Sequence, residues 1–388
     1  MGSRFVILGS GRQGSYAAYD LARYVGVESL VLADIDLKTA QSSAKRVNTL
    51  MGDNVTKAVR VDVTNKNSVL RFIKDSDIFL SAVPYSYNLG LSRLAVKAKA
   101  SMVDLGGHTD IVMKQLDLDD TAKKAGIAIV PDCGMGPGAN VTLAVHAMRQ
   151  LDRAEEVRIY DGGLPLNPRP PWNYSLLFHI GGLSNEYTGT ATFLRNGKRV
   201  VVPALSESEE IVVESLGKLE ARVTTGGLST MPWTFEGKLR VLENKTLRYP
   251  GHWVRMEVFA DLGLFSEKPV KVGRQSVVPS EVFNALFEPQ VYDPNVRDVA
   301  VIRVVTRGTK DGQPATVAVE LVDRFDERTK FRAMERLTGG HAAIVMGMIA
   351  RGEIPPGVHS VEKVVDPERF IREARKRGFE VTVKESGR

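Results

Sequence analysis

A chain of 388 residues with 43% hydrophobic and 25% charged side chains has the composition of an ordered globular protein, long enough for two or three domains. Its net charge of +6 comes from lysines and arginines scattered along the chain, with no basic run and no interleaved aromatics, which argues against a nucleic-acid partner. A single cysteine, Cys133, excludes an intrachain disulfide, and with no run near the ~20 apolar residues of a membrane span and too short an apolar stretch in "MGSRFVILGSG" for a secretory leader, a cytoplasmic protein without a membrane partner is expected.

Residues 1–135 alternate short apolar runs with amphipathic stretches. "RFVILG", "SLVLAD", "AVRVDV", "DIFLSAV", "SMVDLG" and "IAIVPD" are Val/Ile/Leu-rich, and segments such as "QGSYAAYDLARYVG" and "LGLSRLAVKAKA" lie between them. That alternation predicts a parallel sheet with helices on both faces. Residues 136–330 change texture, with longer, alternating strands in "TATFLRNGKRVVVPAL", "KLEARVTT" and "VAVIRVVTRGTKDGQPATVAVELVDRF". Asp311-Gly312 inside the last is a hairpin signal. Residues 331–388 return to helical pattern in "AIVMGMIARG" and "PERFIREARKRG", predicting a helical segment that packs back on the first domain.

Gly9, Gly11 and Gly14 stand in G-x-G-x-x-G spacing after the first strand and at the start of a helix, with Asp34 twenty residues beyond. In this context the spacing predicts a Rossmann-type, doubly wound dinucleotide domain, interrupted by an inserted, mainly antiparallel α+β domain. The helix start at Arg12 and Gln13 faces the diphosphate. Asp34 favours NAD over NADP, because a carboxylate there binds ribose hydroxyls and repels a 2′-phosphate; Lys38 softens that preference. Asp62, with Val63, lies either beside the adenine or at the cap of the next helix.

The later strand ends should line the nicotinamide crevice. They read "SAVPYSYN" (81–88), "VDLGGHTD" (103–110) and "VPDCGMGPGAN" (130–140). Ala82, Val83, Pro84, Asp104 and Leu105 are the expected cofactor neighbours, and Tyr85, Ser86, Asp104 and His108 the polar groups. For His108 an ordinary surface-loop histidine is the competing reading. No tyrosine precedes a lysine by four residues, and there is no G-x-S-x-G. The six histidines never take metal-ligand spacing, so no metal is expected. Cys133 is read as an inert small residue.

Taken together, "GSGRQG", "VPYSYN", "VDLGGHTD", "PDCGMGPG" and "TLRYPGH" resemble the saccharopine dehydrogenase (reductase) superfamily along nearly the whole chain, and within it most resemble lysine 6-dehydrogenases. The resemblance implies NAD-dependent oxidative deamination of the side-chain amine of L-lysine, giving 2-aminoadipate 6-semialdehyde, ammonia and NADH. The alternatives are a saccharopine reductase-type enzyme acting on a secondary amine, and a non-catalytic NAD-binding regulator. Such an oxidation needs a base, for which Asp104, His108 and Asp132 are candidates. The α-carboxylate of an amino-acid substrate needs a fixed cation; Arg248 is assigned to it, with Tyr249 and His252 beside it, unless Arg248 pairs with a structural glutamate. Tyr85 and Ser86 correspond to the family's substrate-contacting pair. Where many members carry a proline–proline–glutamate stretch, this chain reads "GVHSVEKVV", retaining Glu362. A homodimer or higher homo-oligomer through the second domain is expected.

Overall fold

A computed structural model describes residues 2–387. The six apolar runs of the first third are parallel strands: β1 Ser3–Leu8, β2 Val27–Asp34, β3 Thr56–Arg60, β4 Ile78–Ser81, β5 Ser101–Asp104 and β6 Ala128–Val130. Every residue of β4, β5 and β6 is buried, as strands covered on both faces must be, which is why they read as unbroken apolar runs. Two of the intervening helices start where a side chain accepts a backbone N–H. Asp36 takes that of Lys38 ahead of Leu37–Met51, and Asn65 that of Ser68 ahead of Lys66–Ile73. Asp62 is therefore not a helix cap; β3 stops at Arg60 and leaves Asp62 in the loop. The strand order β6-β5-β4-β1-β2-β3 reverses between β1 and β4, and ligands bind such sheets at that switch point.

The second sheet is built from β7 Arg153–Pro165, β8 Thr190–Arg195, β9 Lys198–Pro203, β10 Glu209–Val213, β11 Gly217–Val223 and β12 Val241–Arg248, then, past a small separate hairpin of β13 Val270–Val272 and β14 Gln275–Val277, from β15 Asp298–Lys310 and β16 Gln313–Arg324. Its pairings are antiparallel except β12 with β7. Asp311-Gly312 makes the expected two-residue turn, with Lys310 paired to Gln313 and both turn residues at positive φ. The stretch read as one long strand from Thr190 is in fact a hairpin, β8 with β9, turning at Asn196-Gly197, also at positive φ. Three helices, Ile180–Glu186, His252–Asp261 and Pro279–Val291, contribute to a separate aromatic core around Trp253, Phe265, Phe283 and Phe287.

The last segment divides between the two sheets. Fourteen of the 18 residues of helix Ala333–Ala350 are buried, because it lies between layers, against helix Arg12–Asp20, β4 and β5 on one side and β15 and β16 on the other. β17 Gly357–Val358 then extends the first sheet beside β6, and β18 Glu380–Gly387, where only helix was expected, pairs with β16 at the edge of the second. One hydrophobic cluster consequently runs from Phe5 and Ile7 through Leu337 and Val345 to Ile302 and Leu321. The two sheets share a core. Among the described residues no helix is long and apolar enough to cross a membrane.

Candidate active site

The cofactor end is made mostly of backbone. A Cβ on Gly14 would lie 2.0 Å from the Gly9 carbonyl oxygen, so only glycine lets the helix leave β1 this closely. Gly11 differs: its φ is an ordinary −67°, and a Cβ there would meet nothing within 4 Å. Neither the chain's conformation nor its packing demands glycine at that point. The space beside it suits a diphosphate, and no side chain caps the helix that starts there, leaving its first N–H groups for an anion. The residues present therefore fit a dinucleotide. Asp34 sits beside this turn, accepting from Ser10 N at 2.8 Å and Asp36 N at 3.0 Å. Asp62 accepts from the backbone and hydroxyl of Thr64 at 2.9 and 2.7 Å, which lowers its pKa, and Val63 packs half-buried beside it. Gln13 is half-buried. The Arg12 side chain reaches across to the second domain, donating to Leu176 O at 3.2 Å.

The crevice loops follow. Asp104 is fully buried, and both its oxygens are engaged. Oδ1 accepts from Gly106 N (2.9 Å) and Asp132 N (3.1 Å), and Oδ2 from Gln115 Nε2 (2.8 Å). Burial raises its pKa against those bonds. Its carboxylate ties the two loops together and is turned into the protein. His108, by contrast, is half-buried with Nδ1 lacking a partner, its ring 5.4 Å from that of Tyr85. Burial, then Glu267, raises the Tyr85 phenol. Ala82, Val83 and Leu105 are half-buried nearby, and Pro84 and Ser86 are exposed. Asp132, in the left-handed region at φ 61°, accepts from Ser229 Oγ. Burial, then the Asp104 charge, pushes it up to about 7. Cys133 is wholly buried and its thiol is driven well up by that burial.

Arg248 ends β12 with 3% exposure. Its guanidinium lies 5.2 Å from the Tyr174 ring and 5.6 Å from Trp253. Nη1 donates to Leu247 O at 2.9 Å, Nη2 reaches Glu186 Oε2 only at 3.5 Å, and Nε has no partner. A glutamate is present, as the structural reading required, but that contact is single and long; the guanidinium also meets the Tyr187 hydroxyl, and Nε alone of its three nitrogens is unused. His252 stands behind it, fully buried. Its Nδ1 lies 3.3 Å from Trp172 O and its Nε2 2.9 Å from the Tyr187 hydroxyl. A carbonyl only accepts, so Nδ1 carries the proton and Tyr187 donates to Nε2. Burial, then Arg248, holds His252 down at about 3, so it is neutral and supports Tyr187. Tyr249, one residue past Arg248, takes the opposite face of the chain and packs on the Leu219–Leu247 cluster.

Several residues were not anticipated from sequence. Asp161 on β7 accepts from Asn140 Nδ2 (2.8 Å) and Asn244 Nδ2 (3.2 Å) through Oδ2. Burial pushes it up to about 6 against those bonds, and Glu186 to about 7 against the pull of Arg248. Glu362, the retained glutamate noted in the sequence, accepts from Thr230 and Thr234 at 2.8 and 2.6 Å, tying the C-terminal return to the turn that carries Ser229. The only signal was polar residues inside strand-like runs, "YDGGLP" and "VLENKTLR".

Comparison with known proteins follows this division. Models of the saccharopine dehydrogenase NADP binding domain and the saccharopine dehydrogenase C-terminal domain match residues 5–130 and 134–379. The chain belongs to the saccharopine dehydrogenase family. Saccharopine dehydrogenase (NADP+, L-glutamate-forming) of Saccharomyces cerevisiae is 23% identical over 204 residues, 51% of this chain and 43% of its own. Alpha-aminoadipic semialdehyde synthase of Arabidopsis thaliana is 24% identical over 299 residues, 70% of this chain and 27% of its own. The chain thus spans less than half the length of either relative. The solved apo saccharopine dehydrogenase (L-Glu forming) from S. cerevisiae is 18% identical and superposes with a TM-score of 0.80, covering both chains completely. This family member therefore shares that fold, a parallel nucleotide-type sheet with a mixed second sheet.

Proposed function

We propose that this member of the saccharopine dehydrogenase family oxidises the side-chain amine of L-lysine with NAD, releasing 2-aminoadipate 6-semialdehyde and ammonia. The observation that carries the reading is Arg248, a buried guanidinium with an unpartnered Nε beside Glu186 and Tyr174, the latter close along the chain to Leu176, which Arg12 of the glycine turn reaches. Two parallel hydrogen bonds from such a fork suit an α-carboxylate. Asp34 supports NAD, since a carboxylate held at the end of β2 would repel a 2′-phosphate, although the matching family model is of an NADP binding domain and the relatives named above include an NADP enzyme.

Bound nicotinamide supplies the hydride acceptor. His108 takes the proton from the substrate ammonium, so that hydride leaves carbon bearing a neutral amine. The imidazolium passes that proton to solvent, and the free imidazole then takes a proton from the water that adds to the iminium carbon. Returned to the nitrogen of the carbinolamine, that proton lets ammonia depart as the hydroxyl proton is lost and the aldehyde forms. Asp104 acts through the loop, holding His108 opposite Tyr85, and Ser86 lines the outer rim.

The homodimer belongs to the same proposal. Val254 and Val258 on one helix, Leu262 just past its end, and Val282 and Leu286 on the next helix form an exposed apolar face. Exposed Glu257, Asp261, Glu281 and Glu288 flank it, while Lys268, Lys271 and Arg274 line the neighbouring hairpin segment. A two-fold partner places the basic hairpin of one copy on the acidic flank of the other.

Initial rates of nicotinamide reduction, with L-lysine or saccharopine and with NAD or NADP, test the reading. Turnover of lysine with NAD is expected; turnover of saccharopine alone would transfer the protein to the secondary-amine class. Silence on every amine while NAD still binds would favour a regulator.

A further inference from the structure

The second sheet holds a polar compartment of which the reading above uses mainly Arg248. All eight residues of β12 are buried, yet Glu243, Asn244, Lys245, Thr246 and Arg248 among them are polar. Alternation puts Asn244, Thr246 and Arg248 on one face of the strand. Thr246 pairs with Asp161 across to β7, which brings Asp161 to that face as well.

Several polar atoms there are unused. Arg248 Nε and the Tyr174 hydroxyl are buried donors without partners, and Asn244 Oδ1 is a buried acceptor without one. Asp161 is held through Oδ2 alone, by two side-chain amides. Glu186 adds a second carboxyl 3.5 Å from Arg248. Buried polar atoms are costly to leave unpaired, and two carboxyl groups face one guanidinium. What would complete the set is a ligand with an anionic group for the donors and a cationic group for the acceptors.

We infer that Asp161, with Asn244, accepts the α-ammonium of the substrate while Arg248 and Tyr174 take its α-carboxylate, so that the compartment selects a zwitterionic α-amino acid head group over a simple amine. This rests on the proposed deamination of a terminal amine, and assigns the opposite end of that substrate. The burial-raised carboxyls are consistent with it: each lacks a full counter-charge until an ammonium arrives.

The test compares L-lysine with 6-aminohexanoate, which lacks the α-ammonium, on the wild type and on Asp161→Asn. For lysine, the variant should raise KM on the order of 10- to 100-fold, the worth of a charge-assisted hydrogen bond, with kcat within about a factor of three. For 6-aminohexanoate, kcat/KM should be nearly unchanged, so the preference for lysine collapses. Equal losses on both substrates would overturn the inference, because a merely structural role for Asp161 cannot tell them apart. Should Asp161→Asn fail to fold, Asn244→Ser is expected to shift the same ratio in the same direction, and an unshifted ratio would count against the inference. If the wild type turns over no amine, the proposed reaction fails first. Calorimetry of L-lysine against 6-aminohexanoate on the NAD-loaded protein then reads the subsite alone, and equal affinities, or no binding of lysine, would overturn the inference too.

Discussion

The two halves of the crevice are built on opposite principles. The cofactor side is short-range and mostly backbone: a glycine turn, an uncapped helix start and a carboxylate at the end of the next strand, all within residues 9–34. The substrate side is long-range and made of side chains, with Asn140, Asp161, Tyr174 and Glu186 arriving from separate segments to meet Asn244 and Arg248 of β12. Backbone sites constrain which residues are absent, since any side chain at Gly11 would take space. Side-chain sites constrain which are present, and leave no fixed spacing along the chain.

This contrast predicts separable effects. Arg248→Lys, which keeps the charge and loses the fork, should lower kcat/KM for lysine on the order of 100- to 1,000-fold, with the KM for NAD nearly unchanged. An equal loss for both ligands would mean that the two sides are not independent.

Asp132 joins the sides through Ser229, and its effect should be seen in stability. Its ordinary pKa of 3.8 is raised to about 7 in the fold, so the folded state holds the proton more tightly than the unfolded chain. The resulting stabilisation is full below about 3.8 and is lost as pH rises through about 7. From about pH 5 to about pH 8 this amounts to about 2–3 kcal/mol. Asp132→Asn should flatten that part of the stability profile, as read from urea midpoints across the range.

On the cofactor side, Asp34→Ala should reduce the preference for NAD over NADP roughly 10- to 30-fold, measured as the ratio of kcat/KM values, with lysine KM little moved. Arg60, paired with Asp34 on the neighbouring strand, is the cation expected to favour a 2′-phosphate once the carboxylate is gone. The smallest effect belongs to Tyr187→Phe, which removes the hydroxyl between His252 and Arg248 and should raise lysine KM roughly 3- to 10-fold. A larger change in kcat than in KM would instead assign Tyr187 to the chemistry.

What could be read from the sequence follows the same division. The six parallel strands, the Asp311-Gly312 hairpin and the glycine fingerprint were legible because local chemistry dictates them: apolar runs, turn residues, fixed spacing. Arg248 stood out through the resemblance of "TLRYPGH" to a known family. Asn196-Gly197 was legible too, yet the alternation running through it masked the turn. Asp161 and Asn244 were not, because a polar residue inside a strand reads equally well as a solvent-facing position, and only the β7–β12 pairing buries both. The same holds for Asp104: a carboxylate at a strand end suggests chemistry, and only the fold shows both its oxygens occupied from inside. β18 escaped notice because its short alternating run follows a strongly helical one.

The most direct test of the account is isotope transfer from L-lysine deuterated at the ε-carbon, with NAD as acceptor and mass analysis of the reduced nicotinamide. The account predicts one deuterium on the nicotinamide, and none when the label is at the α-carbon. Deuterium arriving from the α-carbon would place the head group, not the terminal amine, at the cofactor, and would contradict the roles given to Arg248 and Asp161.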